Sequence, residues 1–137
     1  MAELTEDQIK ALVTIARQLT WGDNILLYEH KWKDLAASAV TSNHDADKVG
    51  PGRIRVITHM AAYNDVTANP FIYLRHHDGA EYLVDEGQVA PAIGEVVRFS
   101  GFLILREGQR EGVSFETCSS GDDIYFVSQG YEILLKE

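Results

Sequence analysis

The stretch that decides the fold is Ile93–Gly112, IGEVVRFSGFLILREGQREG. Its residues alternate as they do along a strand with one buried face. Val97, Phe99, Leu103 and Leu105 fall on one side, and Val96, Arg98, Ser100, Phe102, Ile104 and Arg106 on the other. Gly101 interrupts the apolar side. Glycine weakens a strand interior and marks bulges and tight bends. The expectation is therefore a long strand, Glu95–Glu107, bent at Gly101 as the corner of a small closed barrel requires.

The period of two extends in both directions. It predicts strands at Arg53–Tyr63, Phe71–His77, Ala80–Asp85, Val113–Cys118 and Ile124 to about Leu135, the last interrupted at Gly130. Asp78-Gly79 is a two-residue hairpin turn, because both central positions need positive φ. Upstream the spacing becomes helical. Thr5 and Gln8 form a capping box, followed by Ile9, Leu12, Val13, Ala16 and Leu19, with Gly22 as a stop. A second helix is expected from Asp23 to about Val40, carrying Ile25, Tyr28, Trp32, Leu35, Ala36 and Ala39 on one stripe, and TSNHDADKVGPG reads as a loop. With no helix-length crossover after Arg53, the order argues against a parallel sheet. The reading is α+β in a single domain, 1–137: a two-helix N-terminal hairpin (1–42) followed by a six-stranded antiparallel meander (53–137).

GEVVRFSG at Gly94–Gly101 resembles the fourth strand of OB-fold barrels. The long first strand RIRVITHMAAY and the hairpin FIYLRHHDGAEYLV are similar to that pattern too, over about residues 53–120. The resemblance implies an OB-like antiparallel β-barrel, which binds its ligands on one sheet face and in the adjoining loops.

Charge narrows the partners. The 137 residues carry 12 Lys and Arg against 21 Asp and Glu, a net of −9. A protein that grips a phosphate backbone by counterion release shows a basic footprint, so composition argues against tight, non-specific nucleic-acid binding. One cysteine, Cys118, leaves no intramolecular disulfide framework. No run reaches the roughly 18 apolar residues of a membrane span. The acidic start MAELTEDQIK lacks the features of a secretory signal, and the expected localisation is cytoplasmic, with no membrane association.

Candidate binding residues follow from the alternation. If Ile72 and Leu74 point inward, then Phe71, Tyr73, Arg75 and His77 point out. If Ile54, Val56 and Met60 point inward, then Arg53, Arg55, His59 and Tyr63 point out. The expected binding set is Arg55, Tyr63, Phe71, Tyr73, Arg75 and His77. Aromatics and Arg are the usual anchors of protein interfaces. The same mixture also suits single strands, whose bases stack on rings while cations track the phosphates. Helix docking is the structural use of the same aromatics.

Catalytic signals are thin. His44–Asp47 and His76–Asp78 contain metal donors, but adjacent His76 and His77 on a strand face opposite ways, so no metal is expected. Cys118 has no identifiable base partner, and the carboxylates of DEGQ and SSGDD read as solvated turns. The expectation is a non-catalytic binding module without cofactors, an accessory or regulatory protein of nucleic-acid machinery acting through protein contacts. Alternatives are weak single-stranded nucleic-acid binding and a small-molecule enzyme with a cone-shaped α+β pocket around Tyr28, Trp32, His59 and Tyr82.

Overall fold

The computed structural model describes residues 4–21 and 24–135, with backbone alone for 14–21. Helix α1 spans Glu6–Trp21. Its predicted capping box forms: the Thr5 amide donates to Gln8 Oε1 at 2.9 Å and the Gln8 amide to Thr5 Oγ1 at 3.1 Å. Glu6 and Asp7 place negative charge at the positive end of the helix dipole. Ile9, Leu12 and Val13 remain exposed. Ala16 and Leu19, which continue the expected stripe, and the expected stop at Gly22 lie outside the described side chains and residues. Helix α1 leans on the first strand, where Lys10 reaches Glu29 at 3.5 Å.

Among the described residues eight strands follow: β1 Ile25–Ala37, β2 Ser42–Asp45, β3 Arg53–Asn64, β4 Phe71–His77, β5 Tyr82–Val89, β6 Val97–Leu105, β7 Arg110–Phe115 and β8 Asp122–Leu134. They form two antiparallel four-stranded sheets, β1-β8-β3-β6 and β2-β7-β4-β5. Every connection except the β4–β5 hairpin passes from one sheet to the other. This is a jelly roll, a sandwich of two sheets.

Four expectations are corrected. The predicted second helix is β1, a strand whose Tyr28, His30 and Trp32 face inward opposite Gly130, Ser128 and Phe126 of β8. The predicted loop 41–52 contains β2. The meander is replaced by pairings between distant segments, and the closed OB-like barrel by two open sheets. The core lies between those sheets, where Ile57, Met60, Ile72, Leu74, Val113 and Phe115 are fully or almost fully buried.

Gly101 marks a bulge rather than a barrel corner. It lies in edge strand β6 at φ +156°. The β3–β6 register passes there from Ile57↔Leu103 to His59↔Ser100, so Gly101 and Phe102 together oppose Thr58. Against β8, Thr58 is itself the extra residue, since Ile57 pairs Gly130 and His59 pairs Gln129. A Cβ on Gly130 would collide with the Val56 carbonyl, which explains the glycine that the sequence places inside β8. The bulge reverses the alternation of β3: Arg55 and Ile57 share the interior with Met60 and Ala62.

Candidate binding site

The six expected binding residues separate between the two outer faces and the interior. Phe71, Tyr73, Arg75 and His77 lie together on the outer face of the β2-β7-β4-β5 sheet. Tyr63 lies on the outer face of the other sheet. Arg55 points into the sandwich, so its assignment to an exposed face is corrected by the Thr58 bulge.

Arg55 is 4% exposed and points into the interior. Its Nε donates to Glu132 Oε2 at 3.0 Å, and its Nη1 to Glu111 Oε1 at 2.7 Å and to the Asp47 carbonyl at 2.8 Å. Its guanidinium lies 4.1 Å from the centre of the Tyr28 ring. Glu111 also accepts from Ser128 Oγ at 2.6 Å, and Glu132 from Arg53 Nη1 at 3.1 Å. Burial, followed by the Glu111 charge, pushes the Tyr28 phenol far above its ordinary value. Charges out of water must be paired and hydrogen-bonded, and here each carboxylate has two donors. The network joins β7 of one sheet to β3 and β8 of the other.

The outer face is built differently. Gly112 on β7 lacks the side chain that would collide with Asp45, so the Asp45 carboxylate can reach over β7 from β2. There Asp45 Oδ1 accepts from Arg75 Nη2 at 3.2 Å, and Oδ2 accepts from the Tyr82 hydroxyl at 2.6 Å. Arg110 Nη2 donates to the Tyr82 oxygen at 3.2 Å and lies 3.6 Å from Asp45 Oδ2. The Arg75 guanidinium lies 3.8 Å from the Tyr82 ring centre, and His77 meets that ring edge-on at 4.7 Å. The Nε atoms of Arg75 and Arg110 are buried without a hydrogen-bond partner, a condition that costs about 1–3 kcal/mol for each such donor. Farther along β4, Phe71 packs on Tyr73 at 5.1 Å and covers Gly87, where a Cβ would come within 2.7 Å of its ring.

Tyr63 stacks on Tyr125 at 4.6 Å and 15°. The pair borders a groove of about 410 Å³ lined mainly by Lys31, Lys33, Ala61, Val96 and Val127. Burial, then the charge of Asp123, raises the Tyr125 phenol above its ordinary value. A third surface was not among the expected sites. Edge strands β5 and β6 lie side by side, and on and between them Val84, Val89, Ile93, Phe102 and Ile104 are exposed, Phe102 to 76% and Val89 to 72%.

The histidine motifs part company. His44 meets His30, Nε2 to Nε2, at 2.8 Å, while His76 Nδ1 meets the Asp85 carboxylate at 2.8 Å. Among the described residues no three His, Cys, Asp or Glu side chains gather as metal ligands. Cys118 is buried beside Asn69. Of the residues named for a cone-shaped pocket, Tyr28 and Trp32 pack against the core, whereas His59 and Tyr82 lie on opposite outer faces.

No protein-family model and no curated protein matches the sequence. Among solved structures, one for Bacillus endospore appendages, described as disulfide-linked pili, is 14% identical with a TM-score of 0.49, covering 82% of this chain and 90% of that one. The Drosophila NLP core, described for pentamer formation and histone binding, is 14% identical with a TM-score of 0.38, covering 77% and 97%. PirA is 12% identical with a TM-score of 0.38, covering 75% and 94%. These scores carry no argument about function. Among the described residues, no helix is long and apolar enough to cross a membrane.

Proposed function

We propose that the chain is a non-catalytic jelly-roll module that docks onto another protein through its β5–β6 side. The observation that carries this reading is that both edge strands there expose large apolar side chains: Val84 and Val89 on β5, Phe102 and Ile104 on β6, with Ile93 between the strands. Two edge strands meet on that side, each hydrogen-bonded to only one neighbouring strand. Exposed apolar patches mark interaction sites, and unpaired strand edges are templates for a further strand. An accessory role in nucleic-acid machinery fits a module of this kind, with the protein contact supplying the attachment.

The test is site-specific photocrosslinking in cells that make the protein, with the reactive residue at Phe102, at Val89, or at Lys33 as control. The same partner should be captured from Phe102 and Val89 and not from Lys33, and Phe102→Asp should abolish its capture from Val89. Crosslinks no stronger than at Lys33 would overturn the reading.

The second reading, weak binding of single-stranded nucleic acid, is favoured by one feature: the Tyr63–Tyr125 stack beside Lys31 and Lys33. Rings for stacking and cations for phosphates are what such a strand needs. A labelled oligonucleotide at low salt tests it, and no binding at tens of micromolar removes it.

A further inference from the structure

We propose that Arg75 and Arg110 form a receptor for one carboxylate on the outer face of the β2-β7-β4-β5 sheet. The inference goes beyond protein docking and does not depend on it, because a small acid alone can test it. Two guanidinium groups converge on a single protein carboxylate, Asp45, and each uses only its Nη2. Among the described residues, both Nε atoms are buried and unpartnered, and neither Nη1 has a hydrogen bond. A guanidinium presents N–H donors along its Nε–Nη2 and Nη1–Nη2 edges, either of which can meet a carboxylate. With Nη2 engaged and Nε buried, the spare Nη1 of each arginine is the donor left for a second carboxylate.

The charge count agrees. Two arginines and one aspartate leave the cluster at 2 − 1 = +1, within a chain whose net charge is −9. One carboxylate neutralises the cluster, whereas a phosphate dianion would leave it negative. Access is from the Arg110 side, since that side chain is 32% exposed and Arg75 only 8%. Arg75 is held in place by the Tyr82 ring and Asp45, so little of its freedom remains to be lost on binding. Arg110 offers its spare Nη1 to the ligand.

The experiment follows the arginine Nε–H signals of the full chain by NMR during titration with acetate, an acidic peptide, phosphate or chloride at constant ionic strength. Acetate should shift the Arg75 and Arg110 signals saturably, and chloride should not. Arg110→Gln, with its fold confirmed from the backbone spectrum, should bind acetate at least about tenfold more weakly. Tighter binding of the peptide than of acetate would identify a protein side chain as the source, and equal binding a free acid. Shifts equal to those with chloride, or undiminished acetate binding in Arg110→Gln, would overturn the site. Phosphate binding more tightly than acetate would overturn the carboxylate assignment.

Discussion

Arg110 and Glu111 are neighbours on β7, yet they belong to opposite kinds of polar cluster. Glu111 points into the sandwich, where Arg55 lies between two carboxylates and Arg53 serves the second of them. Arg110 points outward, where two arginines share Asp45 and keep N–H groups to spare. Desolvation explains the difference. A buried ion without full compensation costs several kcal/mol, so the interior must close its own hydrogen bonds. In the outer cluster the Nη1 groups have water and solutes within reach, so the cluster can remain incomplete. The inner network ties the sheets together, and the outer one is left able to recruit.

The strongest way to break this contrast is to open the inner network. Arg55→Met should cost about 3–5 kcal/mol, because it leaves Glu111 buried without its cation. Urea unfolding measures the loss. The double variant Arg55→Met/Glu111→Leu should recover most of it, since replacing both partners with apolar groups of similar volume is often neutral. A single-variant loss below about 1 kcal/mol would show that the inner charges do not hold the sheets together.

Opening the outer cluster should cost less and be reversible from solution. Asp45→Asn removes the carboxylate shared by two arginines and should cost about 1.5–3 kcal/mol, the range for hydrogen bonds to charged groups. Added acetate should restore part of that stability by occupying the vacated arginines, and should not rescue Arg55→Met. Thermal unfolding in acetate and in chloride at equal ionic strength compares the two. Equal responses to both salts would erase the distinction between the regions.

The sequence reveals the outer cluster only in part, and the reason lies in particular residues. Phe71–His77 is predicted with its observed bounds and faces, because Ile72 and Leu74 alternate cleanly with Phe71, Tyr73 and Arg75. Asp45 and Arg110, which share the cluster with Arg75, come from β2 and β7, and the four polar residues of β2, SNHD, have a loop's composition. Gly112 was the available signal: glycine within a strand allows another group to approach closely. β1 was misread because the inward row Tyr28, His30, Trp32 and Asp34 includes polar members, which hide the alternation and leave a spurious helical stripe. Strict alternation from Met60 puts Arg55 on the outer face, and one bulged residue, Thr58, reverses every orientation before it. The jelly roll depends on pairings such as β1 with β8, whose separation no local period can report.

Between the inner and outer clusters is a pair that solution pH can address. His30 and His44 meet at 2.8 Å, with rings within 9° of parallel and centroids 5.1 Å apart. One nitrogen must donate and the other accept, so the contact requires at least one neutral ring. Trp32 stacks on His44 at 4.4 Å, and Phe126 faces both imidazoles. Burial, then the charge of His30, lowers the His44 pKa below 6.5, while Asp45, Asp47 and Glu111 pull it upward. With the folded pKa depressed, this contribution to stability is present above pH 6.5 and lost as pH falls through the folded value. Asp85 has the opposite sign in a lower window: burial raises its pKa above 3.8 against the pull of His76, so its contribution is present below pH 3.8 and lost as pH rises through the folded value. Denaturation between pH 7 and 5 should therefore show a decline that His44→Phe flattens. An unchanged slope in that variant would exclude the pair as its source.

The smallest expected effect on stability separates the two clusters most directly, because it compares adjacent residues. Arg110→Gln removes a partly exposed guanidinium with an unmade hydrogen bond, and should change stability by no more than about 0.5 kcal/mol. Glu111→Gln removes the charge that Arg55 faces and weakens its shortest ion pair, so it should cost several times more, on the order of 3 kcal/mol. Binding should show the reverse order. Acetate affinity should fall in Arg110→Gln and stay unchanged in Glu111→Gln, because the β7 backbone separates the two faces. Urea unfolding and the NMR titration, run on the same pair of proteins, measure both quantities. If Glu111→Gln weakened acetate binding as much as Arg110→Gln does, the two faces of β7 would be coupled and the division between architecture and recognition would fail.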